Sequence, residues 1–164
     1  MKLGVFDSGL GGVMIAKALH EKFPALNMVY LGDTLNLPYG ARSQDAIYHH
    51  SKNCMEALFQ MGCSLIIMAC NTASASALRR LQQEYLPISY PDRRILGVVV
   101  PTIEEAIDRQ YKNLAVIGTN YTIGSKIYSI ELQKINSGIQ IYEQATPLLV
   151  PLIENQGGRW IDNV

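Results

Sequence analysis

Short runs of apolar, often β-branched residues alternate along this chain with longer stretches in which apolar residues return every three or four positions. The runs Lys2–Phe6, Asn27–Leu31, Ser64–Ala69, Arg94–Val100, Asn113–Ile117 and Gly138–Tyr142 read as strands. Several are apolar almost throughout, as strands buried on both faces of a parallel sheet are. Between them the spacing predicts helices over Leu10–Lys22, Ser43–Met61, Thr72–Tyr85, Pro101–Arg109 and Thr122–Ile135. In the second of these, Ile47, Ser51, Cys54, Leu58 and Met61 recur at spacings of four and three and mark an inward face. Strand and helix in strict alternation predict an α/β fold, a doubly wound, mostly parallel sheet with helices on both faces and right-handed crossovers.

A cluster of turn residues at Leu86-Pro87-Ile88-Ser89-Tyr90-Pro91-Asp92 suggests a boundary. It divides the chain into an α/β lobe over 1–93 and the start of a second, similar lobe over 94–164. The stretch Thr146–Glu154 is apolar and punctuated by proline, and Gln156-Gly157-Gly158 breaks it. No internal repeat or low-complexity segment is visible.

Composition narrows the class of protein. The 164 residues suit one domain, or one and a fraction, and with 48% apolar and 17% charged residues they can build a core. Fourteen Lys and Arg balance fourteen Asp and Glu, so no net field draws the chain to nucleic acid or to an anionic membrane. The longest apolar runs, such as Leu65–Cys70, are about six residues against the ~20 a spanning helix needs. The start of the chain has Asp7 where a secretory signal would be apolar, and a cytoplasmic location is expected. Three cysteines, Cys54, Cys63 and Cys70, with no CxxC pair, fit neither a disulfide framework nor a zinc knuckle.

Ligands of open parallel sheets bind at the carboxyl ends of the strands, and polar, turn-forming segments fall at several such ends. Asp7-Ser8-Gly9-Leu10-Gly11-Gly12 follows the first strand and opens a helix. Its glycines let backbone N–H groups approach an anion. Met14 stands where a dinucleotide fingerprint would have its last glycine, and no Gly-Lys-Ser/Thr follows to make a P-loop. An ordinary glycine turn capped by Asp7 fits the same residues. Cys70-Asn71-Thr72-Ala73-Ser74-Ala75 closes the third strand. A thiol at a helix start is expected to ionise more easily than a free one, with Asp7 opposing, and a buried inert cysteine is the alternative.

Leu37-Pro38-Tyr39-Gly40-Ala41-Arg42-Ser43 follows Gly32-Asp33-Thr34 at the end of the second strand. Tyr39 can offer backbone and hydroxyl contacts and Arg42 a carboxylate partner, or the segment is a turn with a solvated arginine. At Gly118-Thr119-Asn120-Tyr121-Thr122, Thr122 is either a ligand contact or a helix cap. Cys54 sits on a packing face. Cys63 lies seven residues before Cys70 across a strand, on the order of 20 Å away. His49 and His50 adjoin on a helix and diverge, so no metal pair is expected.

Taken together, Val5-Phe6-Asp7-Ser8-Gly9-Leu10-Gly11-Gly12, Tyr30-Leu31-Gly32-Asp33-Thr34, Pro38-Tyr39-Gly40, Ala69-Cys70-Asn71-Thr72-Ala73-Ser74-Ala75 and Val116-Ile117-Gly118-Thr119 resemble the glutamate racemases of the aspartate/glutamate racemase superfamily. The resemblance extends to Val150-Pro151-Leu152-Ile153-Glu154. It implies cofactor-independent, metal-free interconversion of L- and D-glutamate for the bacterial cell wall. In that chemistry one cysteine removes the Cα proton and another delivers a proton to the opposite face. Cys70 matches the first cysteine and Asp7 the carboxylate that assists it. Ser8, Tyr39, Gly40, Asn71 and Thr72 match positions that hold the substrate, and Thr119, Thr122 and Glu154 lie in segments that line the pocket.

The family carries its second cysteine in a later Gly-Cys-Thr-His segment, and no cysteine follows Cys70 in these residues. The chain is therefore expected to be the first part of such an enzyme, truncated and feeble or inactive by itself, and a homo-oligomer. Two alternatives stay open. One is a one-thiol enzyme of the superfamily, such as a decarboxylase. The other is a non-catalytic amino-acid-binding or oligomerising fragment.

Overall fold

A computed structural model describes residues 1–135 and 138–154; the expected break at Gln156-Gly157-Gly158 lies outside them. Four parallel strands form the larger sheet: β1 (Lys2–Asp7), β2 (Asn27–Gly32), β3 (Leu65–Met68) and β4 (Arg94–Gly97), in the order β2-β1-β3-β4. β5 (Asn113–Gly118) and β6 (Gln140–Ala145) form a separate parallel pair. The central strand β1 runs in register with both neighbours, Val5 facing Tyr30 on one side and Ile67 on the other.

Helices cover both faces of the larger sheet, as its apolar strands require. On one face α1 (Gly12–Lys22) sets Ile15, Ala16 and Leu19 against Leu3, Val5 and Ala69. On the other, α2 (Gln44–Gln60) packs Ile47, Met55, Leu58 and Phe59 with Phe6, Ile66 and Met68. Each such fully buried side chain contributes roughly 1.5–3 kcal/mol of transfer free energy. Ser43 caps α2, its hydroxyl accepting from the Ala46 N–H at 3.3 Å. The predicted inward face of α2 holds at Ile47, Ser51 and Leu58, with Cys54 half-buried, but Met61 lies past the helix end and is exposed.

Two other expectations need correction. The run Arg94–Val100 is extended only to Gly97, and Val99 already belongs to α6 (Val99–Asp108). Continuous apolar residues do not distinguish a buried strand from a buried helix start. The predicted helix over Thr72–Tyr85 is broken into α3 (Asn71–Ser76), α4 (Leu78–Arg80) and a π-type turn over Leu81–Tyr85, and helix resumes as α5 (Leu86–Ser89). Proline near the start of α5 ends nothing there, because a helix's first turn needs no N–H from it. The fourth strand of the larger sheet, Arg94–Gly97, lies beyond the expected division at 93/94.

The smaller sheet packs with α6, α7 (Asn120–Gly124) and α8 (Ile127–Ile135) around Val99, Ile103, Tyr128 and Leu132. α9 (Leu149–Glu154) follows β6 and reaches back to the loop after β1. No helix among the described residues is long and apolar enough to cross a membrane.

Candidate active site

The carboxyl ends of β1, β3 and β5 open onto one cavity of about 440 Å³. It is lined by Asp7, Ser8, Tyr39, Gly40, Cys70, Asn71, Thr72, Thr119, Thr122 and Glu154, but not by Arg42. Parallel pairing puts the ends of β1 and β3 on one edge of the larger sheet, and the packing of the smaller sheet brings the turn after β5 to the same place.

Cys70 stands between β3 and α3, with its Sγ accepting from the Ala73 N–H at 3.4 Å. The same sulfur shares a hydrogen bond of 3.1 Å with the Ser8 hydroxyl. Although it lines the cavity, the residue is only 6% exposed. Burial, and next the charge of Asp7, push its pKa up to about 11, while hydrogen bonds from Ser8 and Ala73 pull the other way. The expected easier ionisation is thus overturned. α3 is only six residues long and gives the sulfur one donor, the Ala73 N–H, which even with Ser8 from the loop after β1 offsets less than the cost of leaving water beside a carboxylate.

Asp7 is 7% exposed and its Oδ2 accepts from the Gly12 N–H at 2.8 Å, so this carboxylate both caps α1 and borders the thiol. The glycine is needed, because a Cβ at position 12 would lie 2.6 Å from the Asp7 Cβ. Tyr30 holds the loop from behind, donating its hydroxyl to the Gly9 carbonyl at 2.9 Å. Burial first, then Asp7, raise the Tyr30 pKa to about 12, so this donor keeps its proton. From α9, Glu154 Oε1 accepts from the Leu10 N–H at 3.3 Å.

The turn ahead of α2 enters through a cis Leu37–Pro38 bond. Tyr39 is buried and its hydroxyl donates to Asp33 Oδ2 at 2.7 Å, which leaves its backbone and ring edge, not its hydroxyl, for a ligand. Arg42 serves the turn: its Nε donates to the Asn36 carbonyl at 2.7 Å. Gly40 presses on Thr119, since a Cβ there would lie 2.6 Å from the Thr119 Cβ.

Thr72, Thr119 and Thr122 form a triangle of hydroxyls, with separations of 3.0 Å, 3.3 Å and 3.0 Å. Thr119, and not Thr122, caps α7, its Oγ1 accepting from the Thr122 N–H at 3.2 Å. Beside them Asn71 receives the hydroxyl of Tyr128 on its Oδ1 at 2.5 Å. Tyr128, Tyr30 and Asp33 were not singled out as site residues. Asp33 sits in a recognisable turn at a strand end, but nothing local to Tyr128 announces a partner 57 positions away.

The other thiols lie elsewhere. Cys63 is buried before β3, at the opposite end of the strand from Cys70. Cys54 packs against the core, with its pKa pushed up to about 12 by burial and then by Asp33. His49 and His50 turn to Tyr48 and Tyr39 respectively, at ring separations of 5.5 Å and 5.9 Å. No group of three or more His, Cys, Asp or Glu suited to a metal ion is found among the described residues.

The fold and site define a class: a parallel α/β protein with a small polar cleft at the strand ends, in which one thiol and two carboxylates, Asp7 and Glu154, border an amino-acid-sized space. Comparison with known proteins narrows it. Glutamate racemase from Aquifex aeolicus is 43% identical over 155 residues, covering 94% of this chain and 58% of the relative. That from a Sulfurihydrogenibium species is 41% identical over 165 residues, covering 99% and 60%.

Solved structures agree. Glutamate racemase from Aquifex pyrophilus superposes with a TM-score of 0.81 at 40% identity, over 93% of this chain and 57% of that one. The Francisella tularensis glutamate racemase solved with D-glutamate gives 0.83 at 30% identity, over 94% and 56%. No family model matches the chain. The resemblance to glutamate racemase therefore holds in sequence and in fold over nearly the whole chain, which spans about three-fifths of the length of the curated relatives it matches and fits their N-terminal part.

Proposed function

We propose that these residues build one half of a cofactor-independent glutamate racemase site, in which Cys70 exchanges the Cα proton on one face of the amino acid. The observation that carries this reading is Cys70 Sγ in the cavity wall, 3.1 Å from the Ser8 hydroxyl and beside Asp7. In the step, the Cys70 thiolate takes the Cα proton and becomes a thiol, while the C–H electron pair stays on the substrate as a carbanion delocalised into its carboxylate. Return of a proton from the same thiol restores the same enantiomer. Asn71 and the threonine triangle present donors to the substrate's carboxylate, where charge develops.

The resting thiol is protonated, and a substrate must change that. An ammonium group brought beside Cys70 and Asp7 favours the thiolate by direct attraction and by offsetting the carboxylate. These 164 residues supply one thiol to the cavity, so inversion needs a second acid from outside them. On this reading the reaction serves peptidoglycan precursor synthesis in the cytoplasm. Self-association belongs to it too, because Leu96, Ile117 and Leu148 expose apolar surface.

The test is hydrogen exchange at Cα of L- and D-glutamate in deuterated water, followed by NMR. One enantiomer is expected to take up deuterium with retention, and Cys70→Ala abolishes the exchange. No uptake into either enantiomer from pH 7 to about 10 overturns the reading, the upper limit reflecting the thiol's own titration. Rapid conversion to the other enantiomer by this chain alone overturns the need for a second acid. Because a single thiol lines the cavity, decarboxylation of a dicarboxylic acid is the second reading, and release of carbon dioxide in the same experiment distinguishes it.

A further inference from the structure

We propose that Tyr128 is a positioning residue that fixes the side-chain amide of Asn71, so that its NH2 group faces the cavity as a donor to the ligand's carboxylate. This deepens the glutamate-site reading and rests on it for the identity of the ligand. Tyr128 stands on α8, packed with Val99, Ile103 and Leu132 in the core beneath the smaller sheet, and is 8% exposed. Asn71 opens α3 at the end of the larger sheet and is exposed where it borders the cavity. The hydroxyl of Tyr128 donates to Asn71 Oδ1 at 2.5 Å across that junction.

A primary amide has one acceptor end and one donor end, and its two orientations differ little in shape. An exposed asparagine at a cavity wall therefore turns either end toward a ligand, and only the donor end suits an anion. In the structure the Tyr128 hydroxyl occupies the acceptor end. Burial raises its pKa against a hydrogen bond with Thr102, so the phenol holds the proton it gives to Oδ1. With Oδ1 engaged, Nδ2 is the end left for a ligand in the cavity that Thr72 and Thr119 also line.

The phenol reaches the ligand through Asn71, which makes a double-mutant cycle the decisive experiment. Binding of L- and D-glutamate is measured by calorimetry for the unmodified chain, Tyr128→Phe, Asn71→Ala and the pair. Tyr128→Phe keeps the ring in its core and is expected to weaken binding about fivefold, the scale of one neutral hydrogen bond. In the Asn71→Ala background the same change has no further effect. Equal weakening in both backgrounds overturns the proposal, because it shows a general loosening of the site.

A ligand-free measurement separates this inference from the reading it rests on. In NMR spectra without glutamate, the Asn71 side-chain amide resonances are expected to shift in Tyr128→Phe. If they do not move, the hydrogen bond is absent and the proposal falls. If they move while the unmodified chain binds neither enantiomer, the positioning role stands and the glutamate reading falls.

Discussion

At the residue scale the molecule turns on how one sulfur is held. Cys70 combines two donors that favour its thiolate with burial and a carboxylate that oppose it, and the opposition wins in the empty site. With a pKa of about 11, roughly one molecule in a thousand carries the thiolate at pH 8. Alkylation of Cys70 by iodoacetamide is therefore expected to be slow at neutral pH and to rise about tenfold per pH unit until it levels near 11. Peptide mapping of the labelled protein checks this, and a rate that is flat between pH 7 and 9 contradicts it. Asp7→Asn removes the charge that disfavours the thiolate, so the same profile moves to lower pH. Cys54, pushed to about 12 against the core, reacts later on the scale.

At the element scale, the close approaches of backbone to side chain decide which turns the site tolerates. Gly40 lets the turn over Tyr39–Ala41 press against Thr119, which caps α7 and anchors the hydroxyl triangle. Gly40→Ala places a Cβ 2.6 Å from the Thr119 Cβ and Cγ2, where neither partner is a flexible chain end. The expected result is a loss of about 1–3 kcal/mol in urea unfolding, the range for overpacking. Glutamate binding is expected to weaken beyond that of an exposed control such as Gly124→Ala, whose added Cβ meets nothing. An unchanged unfolding midpoint for Gly40→Ala is incompatible with the packing.

At the scale of the whole molecule, polar contacts join the two halves: at the cavity Tyr128 reaches Asn71 and Thr72 reaches Thr119 and Thr122, and outside it Arg79 pairs with the largely buried Glu131 at 2.6 Å. Apolar side chains remain uncovered, with Leu96 51% exposed, Leu148 72% and, at the cavity wall, Ile117 60%. Surface of that kind favours association. Sedimentation equilibrium is expected to show concentration-dependent dimers, and Leu96→Lys, outside the cavity wall, reduces them. A monomer at all concentrations contradicts the expectation.

Much of this was legible in the sequence, for a physical reason that also marks where legibility stopped. Strand and helix patterns depend on residues a few positions apart, so the alternating fold and the polar turns at strand ends could be read directly. The sequence likewise determined that Asp7, Cys70 and Thr119 stand at such ends; parallel pairing puts the first two on one edge, and only the packing of the smaller sheet brings Thr119 to them. It misplaced the end of β4 and the break after Ser76, where apolar continuity hides a change of local conformation. Only the tertiary structure decided that burial beside Asp7 raises the Cys70 pKa, that the Tyr39 hydroxyl is spent on Asp33, and that Tyr128 meets Asn71. Each of these depends on which groups displace water around an atom, and those groups come from segments far away along the chain.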